Sequence, residues 1–322
     1  MNSSSSSAVK TALIARKRSA KNVIIVVLFL LLVVCFVVAP RFCGKSFLDG
    51  LTVWAVNVLP ALFPFALLAP LAARALTPKK SLTLPLFGVR ADGVFLLSLA
   101  CGYPIGAKVI SSLNVDDKTA VKLSSFCSTP SPIFVLATVG ALLDNPVATA
   151  VLALSQLVGC IANGLIFRGY AETKYIVLEA PDGDKNFSEM LTDAVLSVLS
   201  VGGVIALVYM VSAVVKSLLS SDLANNIAVA FLLGLAEMTN GLTPQPRCAG
   251  VLSVTSLAVT TTMATVLCSG LLGFGGIGVM LQSMSFLSKR NVSPLAYLKT
   301  KMTQSSVCAI VSYLLCLVCG VG

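Results

Sequence analysis

The sequence predicts an all-α polytopic membrane protein built as an inverted repeat with two re-entrant hairpins and two broken helices. Three observations predict it. Hydrophobic residues make up 57% of the 322-residue chain and charged residues only 11%, against roughly 45–50% and about 25% in soluble domains. Several apolar runs exceed the roughly 18 residues that cross a hydrocarbon core about 30 Å thick. Interruptions of these runs recur in the same order in the two halves.

Residues 1–22, a serine run followed by Lys10, Arg16, Lys17, Arg18 and Lys21, read as a disordered cytoplasmic tail. The apolar run 23–39 is longer than a usual cleavable signal and lacks a small-x-small cleavage site, so it reads as an uncleaved signal anchor. The remaining apolar stretches are 51–76, 94–113, 120–143, 146–167, 191–219, 227–242, 249–287 and 295–321. Stretch 94–113 is cut by GYPIGAK and stretch 227–242 by Glu237 and Asn240, so both read as re-entrant hairpins. Thr129-Pro130-Ser131-Pro132 breaks the helix 120–143, because each proline lacks a donor and clashes with the preceding turn. The glycine-rich run GLLGFGGIG, 270–278, breaks the helix 249–287.

Three sequence matches fall in register between the halves. Leu51-Thr52 with Val58-Leu59 recurs as Leu191-Thr192 with Val198-Leu199, FLLSLA (95–100) as FLLGLA (231–236), and Cys127-Ser128 as Cys268-Ser269, at offsets of 140, 136 and 141 residues. The predicted units are a first repeat at 51–168, a cytoplasmic linker at 169–189 and a second, inverted repeat at 190–322. An odd number of crossings in the first repeat inverts the second, a recurrent plan in secondary transporters.

Charge placement gives the orientation. With the N-terminus cytoplasmic, most of the 23 Lys and Arg fall in cytoplasmic loops, including Lys289, Arg290, Lys299 and Lys301. Arg41, Lys45, Lys216 and Arg247 fall outside, and Lys108 and Lys122 lie within or beside membrane segments. The positive-inside rule then places the C-terminus externally. The net charge of +10 is thus membrane orientation rather than a nucleic-acid surface. Ten cysteines are scattered, without a disulfide framework or a CxxC site, and histidine is absent. No Ser/His or Cys/His pair, HExxH motif or P-loop occurs, so neither an enzyme nor a cofactor is expected.

Glu237, inside FLLGLAEMTNGL with Asn240 nearby, is the sharpest pointer, since an ionised carboxylate at membrane depth is costly unless paired or wetted. Two readings are open: a protonated acid that fixes the hairpin, or a ligand for a coupling ion, a proton or the substrate. In GYPIGAK, Gly102 and Gly106 permit close approach, Pro104 stops the helix, and Lys108 supplies a cation beside free N–H groups, suiting an anionic substrate, with Tyr103 as a further candidate substrate contact. A lysine snorkelling to the headgroups is the structural alternative. Ser128, Thr129 and Ser131 at the first break, and Gly275, Gly276 and Gln282 at the second, offer hydroxyls, an amide and free helix ends. Packing is the alternative role for each hydroxyl.

GYPIGAKVISSL, FCSTPSPIFVLATVG, LAEMTNGL and FGGIGVMLQ, in this order, resemble the YlbJ-type sporulation integral membrane proteins, a group related to the nucleoside-recognition, or Gate, domain proteins. The likeness runs from about residue 51 to the C-terminus, and Glu237 and Gln282 fill the places of a Glu and a Gln in the family pattern. It implies a fold similar to concentrative nucleoside transporters, a place in the mother-cell-derived outer forespore membrane, and transport of dipicolinic acid. The expected partners are a small anionic substrate, the lipid bilayer and a coupling proton or sodium ion; an oligomer is left open. A nucleoside or other small-metabolite transporter and a non-transporting scaffold for spore assembly are the competing readings.

Overall fold

The computed structural model describes residues 26, 29–75, 80–176, 186–219, 226–236, 238 and 260–322. Among these the secondary structure is helical, apart from one isolated bridge between Arg90 and Tyr175. Among the described residues four helical stretches, Pro146–Tyr170, Phe187–Ser217, Thr261–Arg290 and Pro294–Cys319, are long and apolar enough to cross a membrane, or five if a bent pair counts as one span.

The chain begins with α1 (Phe29–Val38), which turns by 114° into α2 (Pro40–Val53) and a π-turn at Trp54–Val58. Residues 40–50, between the predicted apolar stretches 23–39 and 51–76, are helical in the structure. Pro40 takes a first helical position, where its missing N–H costs nothing. Cys43, Ser46, Gly50 and Val53 then form one buried face. That face packs on α10 (Phe187–Ser217). Helix α3 (Leu59–Ala75) follows.

A short α4 (Thr83–Phe87) leads into the hairpin of α5 (Asp92–Cys101) and α6 (Ile105–Ser112). At ten and eight residues these helices reach about 15 and 12 Å, too short to cross a bilayer. The Asp92 carboxylate anchors the hairpin base, accepting from Ser81 Oγ (2.6 Å), Leu82 N (2.7 Å) and Thr83 N (3.0 Å). Helix α7 (Asp117–Phe126), capped by Asp116, stops before the prolines, and α8 (Phe134–Leu143) resumes after them, wound as a π-turn over Phe134–Gly140. Helix α9 (Pro146–Ile166) is capped by Asn145.

In the second half α10 is followed by α11 (Ile227–Ala236), α12 (Thr261–Phe274), α13 (Gly276–Leu287) and α14 (Pro294–Cys319). Helix α14 shows why the bundle is polar inside. Tyr297, Thr300, Lys301, Gln304, Cys308, Ser312 and Cys316 are buried, at the three- and four-residue spacing of one helix face. Ile310, Leu314, Leu317 and Val318 on the other side are exposed, as a lipid-facing surface requires. The inward face packs on α9, α12 and α7. Helices α9 and α14 approach so closely that a Cβ on Gly159 would lie 2.2 Å from Cys308 Sγ, the small-residue contact common between membrane helices.

Candidate functional site

The first break is dictated by Pro130 and Pro132. In a continuous helix the carbonyls of Phe126 and Ser128 would accept from the N–H groups four residues on, and proline has none. Each freed oxygen is met by a side chain from another helix. Cys160 Sγ of α9 donates to Phe126 O (3.0 Å), and Lys301 Nζ of α14 donates to Ser128 O (2.7 Å). One turn earlier, Asn163 Nδ2 donates to Ser125 O (2.7 Å), and beyond the break Tyr103 N donates to Thr129 O (2.9 Å). Ser128 Oγ pairs with the buried Tyr297 hydroxyl (2.8 Å), and Ser131 Oγ accepts from Phe134 N (3.3 Å), capping α8.

The tip of the α5–α6 hairpin docks on this exposed backbone. Gly102 has φ +74°, and a Cβ there would stand 2.4 Å from Ser131 N; a Cβ on Gly106 would stand 1.9 Å from Cys127 O. Only glycine permits that approach. Tyr103, followed by the cis-bonded Pro104, reaches the second half: its hydroxyl donates to Met238 Sδ (2.6 Å) and to Leu272 O (3.3 Å). Lys301 Nζ lies 5.5 Å from the centre of the Tyr103 ring, in the range of a cation–π contact, and donates to Gln304 Oε1 (2.8 Å).

The second break is a single junction at Gly275 and Gly276, with φ +83° and +81°. Ser269, which matches Ser128 in the sequence repeat, lies within α12 instead of at the break. Its carbonyl accepts from Gln156 Nε2 (3.0 Å), and its hydroxyl contacts Ser155 Oγ (2.7 Å) and Cys308 O (3.0 Å).

Between hairpin tip, first break and α13 lies a cavity with about 590 Å³ of empty space, counting its open mouth. Of the residues singled out in the sequence, Tyr103, Pro104, Ser131 and Gln282 line it. Asn57, Leu62, Pro130, Phe134, Val201, Ile205, Met238 and Val279 join them. Gly102, Gly106, Ser128, Thr129, Gly275 and Gly276 are not among its lining residues: Gly102 and Gly106 pack against Ser131 and Cys127, Thr129 O accepts from Tyr103 N, Ser128 Oγ pairs with Tyr297, and Gly275 and Gly276 form the bend, with Gly275 against the Tyr103 ring. Glu237 and Asn240 lie outside the described residues.

Two lysines sit differently from their sequence reading. Lys108 does not face the hairpin tip: four residues of helix carry it about 6 Å along α6. There its Nζ donates to Ser197 Oγ (3.0 Å), beside a smaller neighbouring cavity. Lys301, counted as a cytoplasmic-loop charge, is 1% exposed in the helix packing. The correction follows from α14 starting at Pro294, which places Lys301 two turns inside the helix on its buried stripe. The stripe Tyr297, Lys301, Gln304, Cys308 at helical spacing was the available signal. Asn57 was also missed, as one polar residue in the apolar run 51–76.

These features define a multi-pass helical membrane protein with a cavity set among broken helices and a hairpin too short to span. The chain is similar to the sporulation integral membrane protein YlbJ of Bacillus subtilis (strain 168), with 24% identity over 331 aligned positions covering 86% of this chain and 78% of the relative. The likeness read from the motifs therefore extends over most of the chain. No family model matches the sequence, and no solved structure matches the fold.

Proposed function

We propose that the protein is a secondary permease for a small carboxylate, with dipicolinic acid as its substrate during endospore formation. The observation that supports this most is that three helices begin at the cavity. Helix α6 starts after Pro104, α8 starts at Phe134, and α13 brings Val279 in its first turn. Helix N-termini carry free N–H groups and partial positive charge, and half-helices of this kind face anionic substrate groups in broken-helix transporters. Phe134, Pro104 and Pro130 offer flat apolar surface to a planar ring, while Asn57, Ser131 and Gln282 offer polar groups for its carboxylates.

In this reading the N-terminus is cytoplasmic, the C-terminus is external, and one repeat rocks against the other around the cavity. Glu237 and Asn240 remain candidate coupling-ion or substrate ligands on the sequence argument alone. A binding measurement tests the substrate class: radiolabelled dipicolinate on the purified protein is displaced by unlabelled dipicolinate and not by uridine. Displacement by uridine would move the assignment to a nucleoside carrier, and absence of binding by either would favour a scaffold.

A further inference from the structure

We propose that Lys301 is a tethered cation, its ammonium standing at the first break where broken-helix transporters otherwise hold a coupling sodium ion. In such transporters the carbonyls freed by unwinding, and the C-terminal ends of half-helices, coordinate the cation. Here α7 ends at Phe126, and Ser128 O, deprived of its partner by Pro132, receives Lys301 Nζ at 2.7 Å. Gln304 Oε1 supplies a second oxygen at 2.8 Å, and the Tyr103 ring lies 5.5 Å away. These distances are those of charge-assisted hydrogen bonds.

Gln304 is committed to this contact. Its amide turns its oxygen towards the ammonium, and among the described residues its Nε2 is buried with no partner. Leaving that donor unmatched is costly, so an amide held this way answers a cation. The stem of the lysine comes from α14 while the carbonyl belongs to the first break. The cation thus joins the two halves of the chain without leaving the protein.

A role in coupling rests on the permease reading, whereas the test does not require transport. The full-length protein, Lys301→Ala and Lys301→Met are extracted in parallel in sodium chloride and in choline chloride at equal ionic strength, and their melting temperatures recorded. The wild type melts alike in both salts. Lys301→Ala melts lower in choline and regains about 4 °C or more as sodium is raised, the saturable response of a bound ligand. Lys301→Met, whose side chain fills the space, melts lower without sodium rescue. If Lys301→Ala folds only in sodium, that too supports the proposal. Equal melting of Lys301→Ala in both salts, failure to fold in either, or stabilisation of the wild type by sodium overturns it and leaves the permease reading standing.

Discussion

At the first break two prolines delete N–H groups, the chain leaves the helix for Cys127 to Ser131, and the freed carbonyls are met one by one from α9, α14 and the hairpin tip. At the second, two glycines in left-handed conformation bend the chain at one junction, and Ser269, which the Cys-Ser sequence match pairs with Ser128, stays inside its helix with neutral partners. The difference teaches how breaker chemistry sets site chemistry. Proline leaves acceptors that demand donors and so draws a buried cation. Glycine bends the chain while Gly275 N still donates to Leu271 O, and the nearby carbonyls of Gly270 and Leu272 take only the neutral hydroxyls of Ser305 and Tyr103.

The largest expected effect contrasts two glycines. Gly106→Ala pushes a methyl into the Cys127 carbonyl, a fixed backbone atom at 1.9 Å, so the hairpin tip cannot seat. The cost is about 3 kcal/mol or more, seen as loss of monodisperse protein on size exclusion. Gly270→Ala in α12 meets Ala309 and Ser305 only at 3.7 Å, and is neutral or slightly stabilising. Equal behaviour of the two variants would remove the tight docking at the first break.

The next contrast concerns the capping side chains. Lys301→Met, leaving Ser128 O without its donor, lowers stability by about 1–3 kcal/mol. Gln156→Leu costs about 1 kcal/mol or less, because the Ser269 carbonyl remains in the α12 ladder. Chemical denaturation of the two variants in one detergent ranks them, and the reverse order would contradict the distinction between the breaks.

The smallest effect lies at the hairpin base. Burial pushes the Asp92 carboxyl up, and hydrogen bonds from Ser81, Thr83 and Leu82 outweigh it and hold the group below its ordinary value of 3.8. Its contribution is therefore present above pH 3.8 and lost as pH falls through the lowered value. Asp92→Asn melts lower at neutral pH, by about 1–2 kcal/mol, and converges on the wild type in strong acid. A constant gap between the two melting profiles would show that the ionised carboxylate is not what holds the base.

Much of this was legible in the chain. The spans near 146–167, 191–219 and 295–321, the Pro130–Pro132 break, a bend within the glycine-rich run 270–278 and the short hairpin around Gly102 follow from apolar run length and from residues with special backbone chemistry. The missed features share one cause: counting hydropathy discards helix phase. Arg41 and Lys45 cut the apolar run, so the amphipathic face of Cys43, Ser46 and Gly50 was not extended to Pro40. Lys301 counted as a loop charge because it follows a polar stretch, although its spacing from Tyr297, Gln304 and Cys308 places it on a buried face. Which carbonyl it reaches, and which residues besides the tip line the cavity, depends on contacts between distant helices.

Transport itself is the point to measure: uptake of radiolabelled dipicolinate into liposomes holding the purified protein, with Gln282→Leu and Glu237→Gln alongside. A permease with its site at the cavity gives saturable uptake that drops at least tenfold in Gln282→Leu while the variant keeps its fold. Well-folded wild type that moves no dipicolinate, with or without a proton or sodium gradient, would contradict it.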